Sequence, residues 1–175
     1  MEYPDLSALP PELRDAVAAH GSLNVYRMLM HSPSLAPGML ALGDAVLQRN
    51  ALPAALRELA ILRVGHVCAG AYAVHHHESA ARGLGLGEAA LAAARTGEAE
   101  ELPGPEAAVL VATDRLLTRH TLDGPAREEL LAVLTVHELA DLVITVGFYQ
   151  LVCGFLNTFG VTTEGEVEGE AAAGD

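Results

Sequence analysis

A helix-forming stretch with no wet face is the strongest constraint this sequence offers. Residues 53–67 read PAALRELAILRVGHV, and their polar side chains are Arg57, Glu58, Arg63 and His66. At about 100° per residue these four point around the whole circumference of a helix. A helix without a solvated face belongs in the middle of a bundle, covered by other helices. Composition supports this placement. Hydrophobic residues make up 51% of the 175 and aromatics only 4%, so the core must be built from Ala, Leu and Val. Those side chains suit closely packed helices better than a sandwich of sheets.

The expectation is therefore an all-α fold, a compact bundle of six to eight helices in a single domain over residues 1–162. Pro10-Pro11-Glu12 opens a short amphipathic helix to about residue 20, and a second covers 23–30. Ser32-Pro33 reads as a cap followed by proline at the first helical position, with Leu35, Met39, Leu42 and Val46 at helical spacing. Asn50 to Pro53 is the break before the central helix, and the next runs over 71–84, closed by Gly83 and Gly85. Further helices fit 87–94, 105–120 and 125–134. Thr135-Val-His-Glu138 has the form of a capping box, ahead of a long buried helix over 139–159. Residues 163–175 are mostly Glu, Gly and Ala with little to bury, which predicts a disordered acidic tail.

The formal net charge of −13 argues against nucleic acid and against anionic membrane surfaces as partners. There is no lysine. The first residues, MEYPDLSALPPEL, lack the basic start and apolar run of a secretory signal. The closest approach to a membrane span, 139–159, is interrupted by Asp141, Tyr149, Gln150 and Asn157. Cys68 and Cys153 lie far apart and make no disulfide framework. A cytoplasmic location is the expectation.

Candidate chemistry concentrates in residues 57–85, RELAILRVGHVCAGAYAVHHHESAARGLG. On a helix through 72–84, His75, Glu78 and Arg82 share the wet stripe, with Glu78 and Arg82 an i,i+4 pair. His77 points elsewhere, among Ala73, Val74, Ala80, Ala81 and Leu84. Glu58 on the preceding helix is flanked by Ala54, Ala55, Ile61, Leu62 and Gly65. Two ionisable groups thus occupy the centres of apolar arcs on consecutive helices. Burying either alone would cost several kcal/mol or force it neutral, whereas burying them against each other offsets part of that cost. A carboxylate beside an imidazole favours the charged ring and fixes which nitrogen holds the proton. The pair is either a proton-transfer device or a structural hydrogen bond joining two helices.

Other signals are weaker. Adjacent residues on a helix diverge, so His75, His76 and His77 cannot converge on one ion, and no metal site is expected. His137 and Asp141 have i,i+4 spacing but read as a solvated pair. Cys68 is a candidate nucleophile or pocket residue, with a small buried thiol as the commoner role. Leu142, Val146, Tyr149, Cys153 and Asn157 form one stripe of the last helix, a core or oligomer contact whose polar tips need partners. Arg27 and Arg63 are surface or salt-bridge arginines by default and candidates to bind a carboxylate.

The run RELAILRVGHVCAGAYAVHHHESAARGLGL resembles the signature of the carboxymuconolactone decarboxylase-like and alkylhydroperoxidase-like superfamily. There an Arg-Glu-Leu helix leads to a helix carrying a histidine before a glycine-terminated end. NVYRMLMHSPSL resembles the upstream helix entry and VGFYQLVCGFLNTFGV the closing helix, so the resemblance covers about residues 20–161. In peroxidase-type members a Cys-x-x-Cys pair lies between the glutamate and the histidine. Glu58 and His77 match the flanking positions, but the cysteine positions fall on Gly70 and Ala73.

The resemblance implies an alkylhydroperoxidase-like fold, homo-oligomers (trimers or hexamers) with pockets near subunit contacts, and acid–base chemistry without a cofactor. It points to a decarboxylase-like lyase acting on a small carbonyl acid or lactone. His77 and Glu58 are the expected catalytic residues, and Tyr72, Arg63, Tyr149 and Cys68 the candidates for contacting a small-molecule substrate. The alternatives are a peroxide- or thiol-linked oxidoreductase, disfavoured by the missing cysteine pair, and a non-catalytic oligomeric binding protein.

Overall fold

The structure, a computed structural model, describes residues 1–165. Among them are nine α-helices: α1 (Pro11–Ala19), α2 (Asn24–Leu29), α3 (Ala36–Gln48), α4 (Ala54–Val67), α5 (Ala71–Gly83), α6 (Glu88–Thr96), α7 (Gly104–Arg119), α8 (Gly124–Leu131) and α9 (Val136–Phe159). A 3-10 turn, Leu6–Ala8, precedes them. The all-α expectation holds. The nine helices correspond to the nine segments read from the sequence, one more than a bundle of six to eight.

The helix without a wet face is the hub. α4 packs against α5, α6, α7 and α9, and Leu59, Ala60, Ile61, Leu62, Val64 and Gly65 are all buried along it. Gly65 lets α5 come close: a Cβ there would lie 2.8 Å from Val74 Cγ2. α9 is the second long core element, with Leu142, Val146, Tyr149, Cys153 and Leu156 buried on one side. By length and mean hydropathy α9 could cross a membrane, so the interruptions noted in the sequence are too few to exclude that on composition. Its packing against α4, α7, α3 and α8 makes it a core helix here.

Helix starts follow the sequence in most places. α4 starts directly after Pro53, and Thr135 and Glu138 form the capping box of α9 in both directions. The start near residue 33 is displaced. Ser32 to Leu35 form a turn in which the Ser32 carbonyl accepts from Leu35 and Ala36 N–H, and α3 begins at Ala36 with Pro37 in its first turn. Leu35 and Leu42 are consequently exposed, and Ala36, Leu40 and Val46 form the buried side. Of the tail expected over 163–175, Glu164 accepts from the Tyr72 hydroxyl and the Asn24 backbone N–H; residues 166–175 lie outside the described residues.

Candidate active site

Glu58 and His77 meet. Their helices, α4 and α5, are joined by a tight turn at residues 68–70, which lays the second antiparallel to the first and brings the two apolar arcs face to face. His77 Nδ1 lies 2.6 Å from Glu58 Oε2. The glutamate side chain is 2% exposed and the imidazole 15%, so the contact is shielded from bulk water. Arg57 donates to Glu58 Oε1 at 3.1 and 3.2 Å, giving the second oxygen a cationic partner. Burial pushes the Glu58 carboxyl toward neutrality, but the His77 and Arg57 bonds outweigh it and hold the group below its ordinary value of 4.5.

An ionised Glu58 can only accept, which places the proton of the neutral imidazole on Nδ1 and leaves Nε2 as an acceptor. Tyr149 on α9 supplies the donor: its hydroxyl lies 2.9 Å from Nε2, with the two rings edge to face. Burial and the nearby Glu58 charge raise the Tyr149 phenol, so it is a neutral O–H donor. The result is a directed chain, Tyr149 O–H to Nε2 and Nδ1–H to Glu58.

His77 and Tyr149 form part of the wall of a cavity of about 230 Å³ between α2, α3, α5 and α9. Most of its wall is apolar, including Leu29, Met39, Leu40, Phe148 and Val152. Polar groups enter at few points: His77 and Tyr149 on one side, Tyr72 and His76 along α5, and Asp44 on α3. A small apolar-bodied guest would be in contact with the chain's proton-carrying residues.

The remaining candidates separate. Tyr72 is in the cavity wall, and its hydroxyl is 2.6 Å from Glu164 Oε1. Arg63 is not in the cavity wall; its guanidinium bonds Asp114 at 2.6 and 3.1 Å and the carbonyls of Ala94 and Arg95, tying α4 to α7 and the end of α6. Cys68 is also outside it, in the inter-helix turn, where its carbonyl accepts from Asn157. The adjacent histidines diverge: His75 is exposed, His76 turns to Tyr72 and Glu164, and His77 to Glu58. Asp141 accepts from Ala51 N–H at 2.6 Å and so pins the 50–53 turn to α9, while also lying 3.7 Å from the exposed His137 imidazole. Sequence reasoning missed Asp44, Tyr26 and Asn24. Asp44 alone carried a signal, as a lone carboxylate among the apolar residues of α3.

Comparison with known proteins follows the same lines. The sequence profile of the carboxymuconolactone decarboxylase family matches residues 33–114, a span that holds both Glu58 and His77. Residues 33–114 are thus similar to the carboxymuconolactone decarboxylase family. No curated protein sequence matches it significantly. Among solved structures it is similar to a peroxidase-related protein with an alkylhydroperoxidase AhpD core from Ralstonia eutropha JMP134 (TM-score 0.82, 20% identity, 95% of this chain and 92% of that one). A peroxidase-related protein from Silicibacter sp. TM1040 gives a TM-score of 0.81 at 15% identity, over 97% and 93% of the two chains. A putative antioxidant defence protein AhpD from Agrobacterium tumefaciens gives 0.69 at 21%, over 77% and 94%. At these identities the likeness is one of fold.

Of the two positions that the resemblance assigns to the cysteine pair, the first is closed to a thiol. A Cβ at Gly70 would lie 2.5 Å from Cys153 Sγ, so the α9 thiol fills the space a side chain at position 70 would need. Burial pushes the Cys153 thiol up to about 12 and raises Cys68 as well. Neither sulfur is disposed to be a thiolate near neutral pH.

Proposed function

We propose that this chain is a decarboxylase-like lyase that uses His77, with Glu58 behind it and Tyr149 in front of it, on a small carbonyl acid or lactone. The observation that carries the proposal is the hydrogen-bonded chain Glu58–His77–Tyr149, two of whose members are in the wall of an apolar cavity. The substrate's bond to its carboxylate breaks, CO2 leaves, and the electron pair passes to the conjugated carbonyl as an enolate. As the bond breaks, Nε2 of His77 takes the substrate's carboxyl proton through the Tyr149 hydroxyl, and the doubly protonated ring then returns that proton to carbon by the same path. Delivering it restores the neutral tautomer, with Nδ1–H on Glu58 and Nε2 accepting from Tyr149. The Glu58 carboxylate faces the positive charge that the ring carries in between.

The test is CO2 release from a panel of β-keto acids and carboxylated unsaturated lactones. His77→Ala is expected to lower turnover by about 10²-fold or more, and Tyr149→Phe by a smaller factor. Undiminished turnover in His77→Ala overturns the role. A thiol-dependent peroxide reduction is the weaker reading, because Gly70 and Ala73 replace the cysteine pair and both thiols present are shifted away from ionisation.

The proposal includes self-association. Val143, Ile144 and Leu151 are exposed on the outer side of α9, and Gly147 between them leaves room for close approach. A contiguous apolar stripe of this kind supports burial against another copy of the chain.

A further inference from the structure

Two residues of the cavity wall, Tyr72 and His76, reach a carboxylate that belongs to the chain itself. Glu164 Oε1 accepts from the Tyr72 hydroxyl at 2.6 Å and from the Asn24 backbone N–H at 2.8 Å. Its other oxygen lies 3.0 Å from His76 Nε2, off the hydrogen-bonding axis. That nitrogen is fully buried and has no hydrogen-bond partner. Tyr72 and His76 both lie along the apolar cavity, whereas Glu164 lines an open polar cleft on their far side with Asn24 and Arg27. Three donors from two separate elements thus converge on one carboxylate, two of them from residues that also line the apolar cavity.

Nothing in the packing of the core requires this arrangement. Glu164 contributes no apolar surface, and the Tyr72 ring, 6% exposed, is already fixed by its own burial. The donors are preorganised for a planar anion, and the one unpaired among them, His76 Nε2, is a polar atom withdrawn from water without a bond. We propose that Tyr72, Asn24 N–H and His76 form a subsite for the carboxylate of a small acid with an apolar body, and that Glu164 occupies this subsite until such an acid displaces it. This deepens the lyase reading and rests on it for the identity of the guest as a substrate. The incoming carboxylate takes the place of the Glu164 carboxylate, and the apolar body extends into the cavity toward Tyr149 and His77. Glu164 is then an internal competitor: if it fills the subsite in about nine molecules of ten, external acids bind about tenfold more weakly than the subsite allows.

Benzoate is a suitable probe, with benzyl alcohol as its uncharged counterpart, and binding is read by titration calorimetry on the full chain. Glu164→Ala is expected to tighten benzoate binding about tenfold and to leave benzyl alcohol unchanged. Glu164→Gln, which keeps the segment's shape, is expected to shift benzoate in the same direction. Adding Tyr72→Phe to Glu164→Ala should abolish the gain while retaining the buried ring. Equal benzoate affinity in wild type and both Glu164 variants overturns the proposal, as does an equal gain for benzyl alcohol, which would mean that Glu164 merely obstructs entry. Benzoate carries no reacting carbonyl, so its binding is independent of turnover. His77→Ala combined with Glu164→Ala keeps the benzoate gain if the subsite is real, whatever becomes of the lyase reading.

Discussion

Glu58 has almost no contact with water, and what keeps it ionised is a pair of neighbours, one on its own helix and one on the next. Removing the carboxylate leaves Arg57 and His77 facing a void, and breaking a buried pair of this kind costs about 3–5 kcal/mol. Glu58→Ala should therefore unfold at markedly lower urea, while Glu58→Gln, which retains hydrogen-bonding atoms, should lose less. The sign of the pH dependence follows from the lowered carboxyl. Its contribution is fully present above the ordinary value of 4.5 and is lost as pH falls through the lower folded value. Acid unfolding of Glu58→Gln should lack that component, and an unchanged acid limb would contradict the assignment. This pair was legible before any coordinates, because an ionisable residue at the centre of an apolar arc demands a partner and the next helix offered one. Glu164 was not legible. Its partners lie 92 and 140 residues away, and its immediate neighbours carry only the composition of a solvated tail.

Among the elements, the α4–α5–α9 junction is the tightest fit. Gly70 caps α5 with φ −84° and ψ 70°, a conformation that other residues adopt without strain, so what excludes a side chain is the Cys153 sulfur. Gly70→Ala should destabilise by about 1–3 kcal/mol through overpacking. Cys153→Ala in that background removes the sulfur and leaves a 3.2 Å approach from its Cβ, and should recover most of the loss. Additive losses in the double variant, measured by chemical denaturation, would mean the two positions are not in conflict. Helix boundaries were readable where a local signal was unambiguous, as at Pro53 and in the Thr135–Glu138 box. The start of α3 was not, because Pro33 and Pro37 both qualify as early helical prolines and only the turn at Ser32 decides between them.

At the scale of the whole molecule, the outer side of α9 determines how much apolar surface meets water. Sedimentation velocity at tens of micromolar should find an oligomer, and Ile144→Glu with Leu151→Glu should shift it toward the single chain. A wild type that sediments as one chain overturns the assembly proposal. The hub position of α4 was written in its pattern of polar residues, but which side of α9 faces inward was only half written, since its apolar residues run around most of the helix. The burial of Cys153 gives the same helix a built-in reporter. Its sulfur has no exposure and resists ionisation, so a thiol-reactive dye should label the partly exposed Cys68 first and reach Cys153 only when α9 lifts from α4. The slow phase of such labelling would time how often the bundle opens.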